Sequence, residues 1–204
     1  MARVLDVLFF LYFFTHIPIS LLVDFQALIP SKYYPQQLIE VKEWYCREFR
    51  DPLMLSPPIW FKSLIVCEFF QFIFFFVAAY GFFKGAKQCK WLRLPSLIYG
   101  SHVATTLIPI FTHVLFYDFS NEKLPSPRNL NERLTLLSVY SPYLIIPILL
   151  ILDALFSSAY RPSSSQQQKP KQQQKVQQQQ KPQQLQKPQQ QKSQQQQQHL
   201  KKTK

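Results

Sequence analysis

The 204-residue chain carries 23 Lys and Arg against 11 Asp and Glu, but ten of those bases fall in residues 161–204, which contain no acid. The remaining 13 bases nearly balance the 11 acids, so residues 1–160 offer no basic face, recognition helix or zinc spacing of the kind that binds nucleic acid. Three glycines exclude Gly-rich phosphate loops, and three widely spaced cysteines, Cys46, Cys67 and Cys89, form neither a disulfide framework nor a metal knuckle; no metal or cofactor is expected.

Residues 1–160 read as an all-α, polytopic membrane domain. A bilayer core about 30 Å thick needs about 20 apolar helical residues, and four segments supply them. The first, 4–29, follows Arg3 and continues through THIPISLLVDFQALIP with no small-residue cleavage site after it, so it reads as a retained span rather than a signal peptide. A loop follows, mixing bases with Glu40, Glu43, Glu48 and Asp51. The second span, 59–83, is apolar all round except at Glu68 and Gln71, whereas a soluble helix would keep a polar face. The turn KGAKQCKWLR packs Lys84, Lys87, Lys90 and Arg93 together before the third span, 94–117; the fourth covers 134–156. This distribution of bases places both termini and the second loop in the cytosol.

Residues 161–204 are a Gln, Lys and Pro tract with too little apolar surface to offset the entropy of ordering it, and are expected to be disordered. The chain ends in KKTK, with Lys201 and Lys202 spaced like the dilysine retrieval signal of endoplasmic reticulum membrane proteins. The expected location is therefore the endoplasmic reticulum membrane, with the nuclear envelope and endolysosomal membranes as further sites.

Ionisable residues inside a span are costly and mark function by default. Asp24 lies about five residues before the lumenal end of the first span and Glu68 about nine residues into the second, so at 1.5 Å per residue both sit roughly 8–14 Å below the lumenal boundary. They are expected to share one cavity. His16 precedes Asp24 by eight residues, on the same broad face, and Pro18 between them bends the helix. Asp6, Asp153, His102 and His113 read as structural. With Phe69, Phe72, Tyr143, Tyr45 and Phe49 as wall candidates, the cavity suits a sterol or an apolar amine whose cation pairs with Asp24; a sugar or nucleotide does not fit.

The strings THIPISLLVDFQALIP, EWYCREFRDPLM, PPIWFKSLIVCEFF, ATTLIPIF and NERLTLLSVYSPYLIIP resemble the sigma-2 receptor family, whose four-helix EXPERA fold is shared with the emopamil-binding sterol isomerases. The resemblance implies an endoplasmic reticulum receptor for sterols or oxysterols and cationic amphiphiles, often a homodimer, that serves sterol homeostasis and partners a lysosomal cholesterol transporter. It carries the family's pocket acids onto Asp24 and Glu68. Its lining falls on His16, Tyr45, Phe49, Met54, Thr106 and Tyr143, and it ties Asp51 to ligand binding as well. A sterol isomerase is the competing reading, since two acids could protonate an alkene and remove a proton across it. Against it, Leu64 stands one turn before Glu68 where that branch carries a histidine, and the last span has Tyr140 and Tyr143 in place of its Asn and Trp. A third reading is a scaffold for a sterol transporter, its acids only pairing helices.

Overall fold

A computed structural model describes residues 3–161; the Gln and Lys tract and its Lys201 and Lys202 signal lie outside the described residues. All regular structure among those described is helical: α1 (Val4–Leu22), α2 (Gln36–Glu48), α3 (Pro52–Leu55), α4 (Ile59–Lys84), α5 (Arg93–Phe116) and α6 (Leu130–Phe156), with short 3₁₀ turns between them. Four segments are long and apolar enough to cross a membrane: Val4–Ala27, Ile59–Lys84, Lys90–Phe116 and Leu130–Phe156. Large side chains such as Phe70, Ile73, Phe83 and Phe116 are exposed on them, as lipid-facing positions are, so the chain is a multi-span membrane protein.

Two departures from the expected plan shape the site. The α-helix of the first span stops at Leu22, and Asp24 opens a 3₁₀ turn, Asp24–Ala27, instead of continuing the helix. The stretch expected to be loop between the first two spans is largely helical, with Pro35 preceding α2 and Asp51 capping α3. A search for 20-residue apolar runs passes over such short elements.

The spans pack as two pairs, α1 along α4 and α5 along α6. At one end, Phe9, Phe13, Phe75, Phe82, Tyr99 and Leu150 form an apolar cluster; at the other, Phe25, Phe61, Ile65, Leu107, Val114 and Leu136 form a second. The close approach of α5 to α6 depends on Gly100, where an added Cβ would come within 2.9 Å of the Pro147 carbonyl oxygen and 2.8 Å of Ile151. Backbone cannot yield as a flexible side chain would, so Gly100→Val is expected to separate the pair and lower the thermal midpoint by several degrees in detergent, measured by intrinsic fluorescence; an unchanged midpoint would contradict this packing.

Polar side chains lock the ends of the spans. Arg3 bridges Asp6 at 2.6 Å and Asp153 at 2.7 Å, and its Nη1 also donates to Ser157 Oγ, tying the start of α1 to the end of α6. The structural reading of Asp6 and Asp153 is thereby explained: each buried carboxylate has a guanidinium partner. At the other end Arg133 donates to the carbonyls of Val114, Leu115 and Tyr117, satisfying the C-terminus of α5. Cys46 is fully buried in α2, where burial pushes its thiol up to about 12. Maleimide is therefore expected to leave Cys46 unmodified in the folded protein and to react only on unfolding, as read by peptide mass analysis.

Candidate functional site

Between the two apolar clusters lies a cavity of about 340 Å³, lined from every helix of the domain. Side chains of α1 and the turn after it supply His16, Ile19, Val23 and Asp24. The short helices α2 and α3 add Val41, Lys42, Trp44, Tyr45 and Met54, α4 adds Leu64, Cys67, Glu68, Gln71 and Phe75, and α5 and α6 add Tyr99, Thr106, Tyr140 and Tyr143 among others.

Asp24 and Glu68 meet on this wall. A carboxylate oxygen of each lies within 4.8 Å of the other, although one comes from a turn after α1 and the other from the middle of α4. The end of α1 at Leu22 is what frees Asp24 to reach across. Glu68 is held in turn by Ser20, whose Oγ donates to Glu68 Oε1, and the same oxygen lies 3.4 Å from His16 Nε2. His16 is buried, its ring edge-on to Tyr12 and Tyr143 and 4.6 Å from the centre of Phe75. Its second nitrogen, Nδ1, has no hydrogen-bond partner. The hydroxyl of Tyr99, which lines the cavity, is 3.0 Å from that of Tyr12.

Of the nine residues expected to bind ligand, the structure brings His16, Asp24, Tyr45, Met54, Glu68, Thr106 and Tyr143 to the lining. Two stand outside it. Phe49 ends α2 and packs on the ring of Tyr45, at 5.2 Å between centres. Asp51 is fully buried as the N-cap of α3: its Oδ1 accepts from the backbone N–H groups of Leu53 and Met54, and its Oδ2 accepts from Tyr45 at 3.1 Å and Tyr140 at 2.7 Å. Burial pushes the Asp51 carboxyl up from its ordinary value, while the Tyr140, Met54, Tyr45 and Leu53 hydrogen bonds pull it down. Asp51 therefore holds two tyrosines that line the cavity.

The wall candidates Phe69 and Phe72 are corrected as well. Phe69 is mostly exposed and both rings pack against Phe25, outside the cavity; the wall of α4 is built instead by Leu64, Cys67, Gln71 and Phe75. His102 sits on the outer face of α5, where it pairs with Gln71 Nε2 at 2.8 Å. His113 packs against Trp60 and Tyr117. Trp44, Phe75 and Tyr99 were not foreseen, because an apolar side chain facing a cavity and one facing lipid look alike in sequence.

The EXPERA (EXPanded EBP superfamily) pattern matches residues 37–154. The chain is 50% identical over 169 residues to the Sigma intracellular receptor 2 of Xenopus tropicalis, covering 82% of this chain and 98% of that protein. It is 47% identical over 171 residues to the Homo sapiens protein of the same name, covering 82% and 96%. A more distant relative is the Efficient mitochondria targeting-associated protein 19 of Schizosaccharomyces pombe, 28% identical over 151 residues, or 73% of this chain and 74% of that one.

Proposed function

Because the chain belongs to the EXPERA family, we propose that it is an intracellular membrane receptor that binds sterols and cationic amphiphiles in the Asp24 and Glu68 cavity and serves sterol homeostasis. One observation carries this reading: two neighbouring carboxyls stand in the wall of a cavity whose other surfaces are mainly aromatic and aliphatic. One ionised carboxyl of the pair would present one negative charge to the cavity. That charge suits one ammonium. The apolar body of the ligand would lie against Ile19, Val23, Phe75, Leu107 and Ile110, and the rings of Tyr143 and Tyr99 would face the cation. A sterol would present its hydroxyl to the same acids. The names of the relatives agree with a receptor, and we place the protein in the endoplasmic reticulum membrane, as a homodimer, with a sterol transporter as partner.

Leu64 argues against the isomerase. It lines the cavity one turn before Glu68, leaving an apolar side chain where that chemistry would use a base. The test is to incubate purified protein with a labelled sterol carrying the unshifted ring double bond and analyse the extracted sterol by chromatography with mass detection. Unchanged sterol is expected, with its retention lost in Glu68→Gln. Conversion to the shifted isomer, dependent on Glu68, would replace the receptor by an enzyme.

A further inference from the structure

We propose that His16, Asp24 and Glu68 form a binding site for a divalent transition metal of the Zn²⁺ class, occupied in competition with the amine. The inference deepens the receptor reading, since it uses the same cavity, but it requires no organic ligand.

One donor atom from each of the three side chains lies within 4.8 Å of the others. Donors bound to a four-coordinate zinc at about 2.0–2.1 Å stand about 3.3 Å apart. His16 Nε2 and Glu68 Oε1, at 3.4 Å, already form one such edge. Asp24 has at most about 1.5 Å to close. It stands on a single 3₁₀ turn rather than inside α1, so a change of rotamer suffices.

A second observation is independent of the acids. His16 is only 7% exposed, yet Nδ1 has no hydrogen-bond partner, and the ring is held in place by Tyr12, Phe75 and Tyr143. The buried ring presents Nε2, not Nδ1, to the acids, so Nε2 is the nitrogen that would ligate an ion held with Glu68. Ser20 supplies the outer support that ligating carboxylates generally have, donating to Glu68 from the helix that carries His16.

The donor set decides the class of ion. One imidazole nitrogen and two carboxylate oxygens suit Zn²⁺, whereas Ca²⁺ and Mg²⁺ require six or more oxygens, largely in rigid or hydrated shells. The charges also close: two carboxylates balance a divalent ion in an apolar surrounding, where one carboxylate balances one ammonium. The fourth position would open into the cavity, available to water or to the polar handle of a ligand.

The test uses the full-length protein, purified in detergent and stripped with a chelator, titrated with Co²⁺ and Zn²⁺ alone. One Co²⁺ per chain is expected, with the visible absorption of a low-coordinate nitrogen and oxygen site, quenched by one equivalent of Zn²⁺. Asp24→Asn, Glu68→Gln and His16→Phe should each weaken Zn²⁺ binding at least tenfold, and Asp24→Glu, which keeps the carboxylate, should restore it. Absence of the Co²⁺ band, or Zn²⁺ retention unaffected by all three substitutions, overturns the metal site. A labelled amine assayed separately in metal-free buffer keeps the readings apart: amine binding without Zn²⁺ sinks only the metal site, and Zn²⁺ binding without amine sinks only the receptor.

Discussion

Asp24→Asn is expected to weaken binding of a cationic amphiphile about a hundredfold while leaving the protein folded. An ammonium about 4 Å from a carboxylate gains up to about 4 kcal/mol at the effective dielectric of a partly wet cavity, and the loss of about 3 kcal/mol of it corresponds to roughly two decades in affinity. The amide keeps the shape of the acid and can donate to Glu68, so the fold has little to lose. Asp24 stands on a turn, outside the helix ladder, and its removal relieves a crowding of acids that includes Glu68 and, further off, Asp51. Saturation binding of a labelled amine to purified variant and parent, with thermal midpoints measured alongside, decides the matter. A dissociation constant within threefold of the parent would mean that the cation is held elsewhere. Loss of the folded protein would mean that the acid pairs helices, as the scaffold reading requires.

Asp51→Ala should have the largest effect on stability. The carboxylate accepts four hydrogen bonds in a site with no exposure. At about 1 kcal/mol for each hydrogen bond, the substitution costs about 4 kcal/mol, enough to deplete folded protein in a membrane extract. Asp51→Asn separates this from ligand chemistry. Its amide oxygen still accepts from Leu53 and Met54, but its NH₂ now faces Tyr45 and Tyr140, which must turn their hydroxyls to accept. Because both rings line the cavity, the variant should fold with a midpoint lowered by a few degrees and bind ligand several-fold more weakly. Equal affinity in a stable Asp51→Asn protein would show that the two tyrosines do not shape the pocket.

The resemblance ties Asp51 to ligand binding, and the RDP string reads locally as a turn. The structure keeps Asp51 out of the cavity lining and makes it a helix cap. Arg50 adopts a left-handed backbone conformation at φ 53°, and Asp51 then caps α3 while holding Tyr140 from a helix nearly ninety positions away. No spacing rule within EWYCREFRDPLM reports a partner on the last span. The same holds for Arg3: its position before an apolar run marks an N-terminus, but its bond to Asp153 depends on the two ends of the chain meeting.

By itself the sequence determined the four spans and the two acids within them. Apolar runs of helix length have few alternatives in a bilayer, and a carboxyl inside one stands out because burying it is costly. It also placed Asp24 and Glu68 at one depth, since rise per residue is constant along a helix. What only the tertiary structure decided is rotation. Lipid is as apolar as a protein core, so spans that bury one face and show the other to lipid carry no amphipathic signal. Phe69 and Phe75 are the same residue type on the same helix, yet one lies mostly exposed and the other walls the cavity. The break of α1 before Asp24, the short helices that bring Trp44 and Tyr45 over the pocket, and the alignment of His16 with Glu68 come from contacts between segments distant in the chain. Those contacts, not the local pattern, set where each side chain points.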